Sequence, residues 1–230
     1  MDFDVAGVAY SASTWILPVL IAITFHEAAH GFVAWQLGDD TAYQRGRVTF
    51  NPLRHVDLWG TIIVPGLLLL SPAPFLLGWA KPVPVAFHRL RRPRRGMVLV
   101  AAAGPVINLG LATVSAILLH VAALMPATVE AWLSLNLAHS VLINLLLAVF
   151  NMLPLPPLDG GRVAVGLLPR ALALPLARVD RYGLFIVIGG VLLLPMLGDQ
   201  LGIDLNVFDW LVWRPVQMLL PAFWALGGIG

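Results

Sequence analysis

The chain has 230 residues, of which 59% are apolar and only 11% charged, against roughly a quarter charged in soluble globular domains. So few polar groups cannot cover a water-facing surface of this size, which excludes an ordinary soluble enzyme and leaves room for five or six membrane segments of about 20 residues each. The net charge is +2 and cysteine is absent, so disulfides, thiolate nucleophiles and cysteine-type zinc sites are excluded.

In chain order, the N-terminus Met1-Asp2-Phe3-Asp4 is acidic and lacks the basic stretch of a secretory signal. The first span is therefore expected to be retained, with its N-terminus outside. Apolar runs predict spans at about 10–37, 59–77, 97–125, 133–152, 182–198 and 208–228. The last carries Arg214 and two prolines, which suits a tilted span or an interfacial helix. Basic residues fall in three connections: Arg45, Arg47 and Arg54; Arg89 to Arg95; and Arg162, Arg170, Arg178 and Arg181. Beside membrane spans such clusters mark cytoplasmic loops, not nucleic-acid sites. The connections holding Glu130 and Asp199, Asp204 and Asp209 are expected outside.

The second span starts in the cytoplasm near Trp59, yet the chain must be cytoplasmic again by Arg89. Its return passes through Ser71-Pro72-Ala73-Pro74 and Gly78-Trp79-Ala80-Lys81-Pro82-Val83-Pro84-Val85. Prolines at this spacing forbid a regular helix. Extended chain at membrane depth is tolerated only against protein or a water-filled cavity, so a re-entrant strand or hairpin lining the interior is expected. The predicted fold is an all-α polytopic membrane protein with about six helices and a short re-entrant β segment. It forms one membrane-embedded domain over 1–230, with a catalytic core at about 10–165 and C-terminal helices at about 180–228.

The chemistry concentrates in His26-Glu27-Ala28-Ala29-His30, inside the first apolar run. Ionisable groups at membrane depth are candidates for function. Histidines four apart on a helix share a face and can bind one metal ion, and Glu27 beside them is placed to handle a water proton. The alternative is a pair of core histidines, which leaves the adjacent carboxylate unexplained. Zinc needs a third protein ligand. Spans 10–37 and 133–152 both run inward, so Asp159, in Asn151-Met152-Leu153-Pro154-Leu155-Pro156-Pro157-Leu158-Asp159-Gly160-Gly161-Arg162, arrives on the same side at similar depth. Asp-Gly is also a turn signal, and Asp159 could instead pair with Arg162.

These segments resemble the site-2 protease family of intramembrane zinc metalloproteases. The similarity rests on HEAAH at 26–30, NPLRHVDLWGT at 51–61, GWAKPVPV at 78–85, AGPVIN at 103–108 and NMLPLPPLDGGR at 151–162. It covers most of residues 15–165 and is closest to the compact subgroup without a PDZ domain. The resemblance implies that His26, His30 and Asp159 bind one zinc ion, that Glu27 is the catalytic acid/base, and that Asn151 assists at the substrate carbonyl.

An oxyanion formed in such a site needs donors, and Asn151 and Asn108 are candidates. For Asn108, helix packing beside Gly104 is at least as good a reading, and Asn144 suits an interhelical hydrogen bond. Segment 78–85, with Gly78, Val83 and Val85, could hold an unwound substrate by strand addition. His55, near Asp57, could be an extra ligand, a gate or a structural pair, the last preferred. His88, His120 and His139 show no partner pattern. The expected function is hydrolysis of peptide bonds within or near transmembrane segments of protein substrates, in a prokaryotic plasma membrane, with the site toward the cytoplasm. The contrasting classes are a metal transporter, which needs polar residues at successive depths, and a non-proteolytic helix-binding adaptor, which has no use for Glu27.

Overall fold

The computed structural model describes residues 5–64, 67 and 78–228. The chain forms α1 (Val5–Gln36), a one-turn α2 (Thr41–Gln44), α3 (Pro93–Ala122), α4 (Ala127–Asn151), α5 (Asp159–Leu167), α6 (Arg170–Ile188), α7 (Leu194–Leu201) and α8 (Arg214–Leu226). π-helical turns at Gly189–Leu193 and Asp209–Trp213 join α6 to α7 and lead into α8.

Four of the described helices are long and apolar enough to cross a membrane: Ala9–Gln36, Pro93–Ala122, Ala127–Asn151 and Arg170–Leu201. The apolar runs predict six. The run at 59–77 opens as a π-helical turn, Leu58–Ile63, and most of its remaining length lies outside the described residues. The run at 208–228 is helical, but Asp209, Arg214 and two prolines keep it out of the apolar class. The fifth predicted span is longer than its apolar core because helix begins at Arg170. Large apolar side chains such as Phe185 (73% exposed) and Leu124 (81%) face outward, as lipid requires and water does not tolerate in such numbers. The molecule is a multi-pass membrane protein.

The core is α1, α3 and α4. Along the α1–α3 contact Ala22 meets Asn108, His26 meets Gly104 and Asn108, and His30 meets Val100. The numbers rise on one helix as they fall on the other, so the pair is antiparallel. Asn108 to Asn144 (2.7 Å) and Ser115 to Ser140 (2.8 Å) set α3 against α4 in the same sense. Helices α1 and α4 thus run parallel, joined near their N-terminal halves by Trp132 donating to Ser13 and by His139 bonding the Thr14 carbonyl. Buried Ala22, Ala28 and Ala34 on α1, with Ala101, Gly104, Ala112 and Ala116 on α3, let the backbones approach. In lipid such close packing and interhelical hydrogen bonds hold helices together, because burying apolar groups gains nothing. Val216, with Trp213 and Leu220, seats the α8 region on Ala112, Ala116, Val141 and Leu145.

Over its described part, the expected re-entrant segment forms no strand. Residues 78–86 run without regular structure, and among the described residues there is no strand; the stretch 71–77 lies outside them. The reason is where the N–H groups go. Trp79 donates to Gly60, Lys81 to His55, Val83 to Glu27 and Ala86 to Asp39, while Pro82 and Pro84 have none to give. No row of donors remains for a ladder.

Past α1, Gly38 at φ +107° turns the chain and Asp39 becomes fully buried. Burial pushes the Asp39 carboxyl up, but donors from Thr41 and Ala86 and the Arg89 charge outweigh it and hold it below the usual carboxylate range. A depressed folded value means the stabilisation is fully present above the unfolded value of about 3.9 and disappears as pH falls through the folded one. The thermal midpoint in detergent is expected to drop on acidification below about pH 4, and to drop less steeply for Asp39→Asn.

Candidate metal centre

His26 and His30 lie one turn apart on α1, 7% and 9% exposed, with their rings nearly perpendicular. Asp159, the first residue of α5, is 5% exposed. Its Oδ2 lies 3.2 Å from Nε2 of His26 and 3.2 Å from Nε2 of His30. Two donors each about 2.0–2.1 Å from a tetrahedral zinc ion stand about 3.3 Å apart, so the spacing suits a shared metal. That same Oδ2 has no hydrogen-bond partner although it is buried, an arrangement that costs free energy unless a cation completes it.

The outer nitrogens fix the inner ones. His30 Nδ1 donates to the Val100 carbonyl at 2.7 Å. His26 Nδ1 meets Asn108 Oδ1 at 2.5 Å. Asn108 spends its N–H groups on Ala22 O and Asn144 Oδ1, so its oxygen must accept and His26 must donate. Both histidines therefore carry their proton on Nδ1 and turn an Nε2 lone pair toward Asp159. This is how metal-binding histidines are held in the ligating tautomer. Asn108 accordingly orients His26; it is fully buried and absent from the lining of the cavity, which fits the packing reading weighed for it rather than a donor role at the substrate.

Asp159 is delivered by the chain after α4. The prolines at 154, 156 and 157 end the helix and turn the backbone. Gly160 packs on the Met152 and Leu153 carbonyls, Gly161 on the backbone of Leu155 and Pro156, and Gly183 of α6 on the Pro156 carbonyl. The ion pair with Arg162 weighed from the sequence is not made; that guanidinium lies 5.7 Å over the Phe87 ring.

A cavity of about 240 Å3 opens at the three residues. Glu27, Asn151, Val83, Val85 and Arg162 line it with them. Glu27 Oε2 accepts the Val83 N–H at 2.7 Å. Asn151 binds back to the Leu147 carbonyl through its amide nitrogen and has no other partner among the described residues. Two expected site residues stand apart. Gly78 is exposed and outside the lining. His55 is buried at 3%, bonds the Thr49 carbonyl through Nε2 and gives its own carbonyl to Lys81, a structural post. Asp57 does not pair with it but caps the Leu58 turn, accepting from Trp59 and Gly60. Among the described residues, His26, His30 and Asp159 are the group of side chains able to hold a metal together.

Sequence reasoning takes Arg47 as a topology marker and misses Asp39. Arg47 is 8% exposed and donates to the carbonyls of Arg54 and Lys81. Neither residue belongs to a spaced motif; the contact each makes to the 81–86 segment spans 34 positions for Arg47 and 47 for Asp39, which local pattern does not encode.

Gly104 is where the site has least room. A Cβ there would stand 2.6 Å from Nε2 of both His26 and His30. Gly104→Ala is therefore expected to displace the imidazoles and cut bound zinc, measured by elemental analysis, while far-ultraviolet circular dichroism stays helical. Asn108→Ala is expected to weaken zinc about 10- to 100-fold in chelator competition by releasing His26.

The model of Peptidase family M50 matches residues 120–194, a stretch that holds Asn151 and Asp159 but not the HEAAH pentapeptide. A Bacillus subtilis protein named "Putative zinc metalloprotease YwhC" is 38% identical over 205 residues, 84% of this chain and 90% of that one. "Putative zinc metalloprotease Rip2" of Mycobacterium tuberculosis is 33% identical over 141 residues, 61% of this chain and 52% of its own. The chain thus spans about half of Rip2 but nearly all of YwhC. No solved structure matches. With zinc implied by these relatives and a donor set that fits it, this membrane metalloprotease belongs to peptidase family M50, the site-2 proteases.

Proposed function

We propose that the chain is an intramembrane endopeptidase, hydrolysing peptide bonds within or near transmembrane segments of protein substrates. One observation carries the reading: three metal-binding side chains and a carboxylate meet in one cavity between helices that are apolar enough to span a bilayer. His26, His30 and Asp159 would hold zinc, which when bound would supply Lewis-acid polarisation of the scissile carbonyl and a water acidified to a pKa of about 7. Glu27 is within the same cavity; it takes the proton from the attacking water and passes it to the leaving nitrogen. Asn151, with an uncommitted N–H, donates to the carbonyl oxygen as charge develops.

A transmembrane helix hides its peptide bonds, so the substrate must unwind before attack. Val83 and Val85 form the wall along which the opened segment lies. With Val83 N–H turned inward to Glu27, Val85 is the donor left for it. The whole chain acts as one membrane-embedded unit, with the bilayer and a transmembrane protein as its partners. The basic connections after α1, before α3 and around α5 and α6 support a site facing the cytoplasm, as in the plasma membrane of a bacterium. A transporter is disfavoured because the polar residues of the site gather at one place.

The test compares wild type with Glu27→Gln in detergent, each assayed for bound zinc and for cleavage of a transmembrane model substrate. Equal zinc is expected, with cleavage reduced at least about a hundredfold in Glu27→Gln. Cleavage surviving in that variant, or zinc flux into proteoliposomes without cleavage, would overturn the proposal.

A further inference from the structure

The cavity wall at 81–86 is anchored by side chains from the chain that carries HEAAH and its continuation. Arg47 donates to the Lys81 carbonyl at 2.5 Å. Glu27 accepts the Val83 N–H, and Asp39 Oδ2 accepts the Ala86 N–H at 2.6 Å. Gly31 lets the segment press this close: a Cβ there would stand 3.1 Å from Val83 Cγ1. Between Pro82 and Ala86 the N–H groups are those of Val83, Val85 and Ala86, and carboxylates of this one stretch take two of them.

Asp39 is itself rigidly held. It is fully buried, and its Oδ1 accepts the Thr41 N–H at 3.1 Å and the Thr41 hydroxyl at 2.5 Å. The next turn is tied in parallel, by Arg91 N–H to the Leu37 carbonyl at 3.0 Å. The Glu27 carboxylate accepts one hydrogen bond among the described residues, from the Val83 N–H, with Arg47 and His30 nearby. Its orientation therefore depends on where the 81–86 segment sits; Arg47 and His55 fix the Lys81 end, and Asp39 fixes the Ala86 end.

We propose that Asp39 is a positioning residue for catalysis: by holding Ala86 it keeps the Val83 N–H on Glu27 Oε2 and so leaves the other oxygen, Oε1, aimed for proton transfer. The proposal rests on Glu27 being the acid/base of the proposed peptidase. A carboxylate set loose in its rotamer loses orientation without losing its charge, and misplacement by about 1 Å costs on the order of a hundredfold in rate.

The test uses the full zinc-loaded chain in detergent. Asp39→Ala is expected to lower kcat about 10- to 100-fold with KM and zinc content unchanged, and to speed amide exchange at Val83 and Ala86. Asp40→Asn, which removes the charge paired with Arg89 while keeping an amide oxygen for Gln44, is expected to leave kcat and exchange as in wild type. Should Asp39→Ala lose zinc or unfold, the isosteric Asp39→Asn decides: reduced kcat with faster exchange at Val83 supports the positioning role. Wild-type kcat in the folded variant, a loss lying wholly in KM, or a Val83 amide that stays protected overturns it. If wild type cleaves no faster than Glu27→Gln, the peptidase reading fails instead, and the exchange result still reports whether Asp39 holds the segment.

Discussion

An imidazole N–H placed at lipid depth must find an acceptor, and every other feature of the site depends on how this chain supplies two. An unpaired polar group there costs several kcal/mol. Helix α3 offers Val100 O to His30 and Asn108 Oδ1 to His26, and it can do so only by lying antiparallel and close to α1. Once both Nδ1 protons are committed outward, the two Nε2 lone pairs have nowhere to point but inward, toward each other's neighbourhood. The metal site is thus the remainder of a hydrogen-bonding problem solved by helix packing. Asn144 and Ser140 extend the solution into α4, so the orientation of one ligand is tied to the whole three-helix core.

The two carboxylates of the cavity are kept in different roles by different means. Asp159 comes from a turn stiffened by prolines and presents an oxygen with no hydrogen-bond donor of its own, only the two imidazole nitrogens. Glu27 sits on a regular helix and is met by a backbone N–H. A bare buried oxygen invites a cation, while a carboxylate met by a backbone N–H is held in one orientation. Residue type alone does not separate the two; the surroundings do.

Much of this is legible in the chain. The four long apolar helices, the HEAAH face, and Asp159 arriving at the same end come from hydropathy, helical periodicity and the parity of span directions. His120 and His139, with no ligand pattern, do prove satisfied by carbonyls of Leu226 and Thr14. The behaviour of 78–86 is not legible. Alternating valines suggest a strand, but strand pairing depends on which N–H groups are free, and those are consumed by Glu27, Asp39 and neighbouring carbonyls far away in sequence. Arg47 and Asp39 are hidden for the same reason. Charged residues just past a span look like interfacial markers until the contact that buries them is known. Asn108 sits between catalysis and packing on sequence grounds, yet its actual work, turning His26, emerges only from the way its amide faces.

Gly183 belongs to α6, beyond the last residue that lines the cavity, yet it presses against the Pro156 carbonyl in the turn that carries Asp159. Helix α6 is therefore a buttress for the turn that presents Asp159. The family match running on to residue 194 takes in this buttress along with the ligand. The smallest unit able to keep Asp159 beside the two histidines accordingly extends past that aspartate, into a helix with no chemistry of its own.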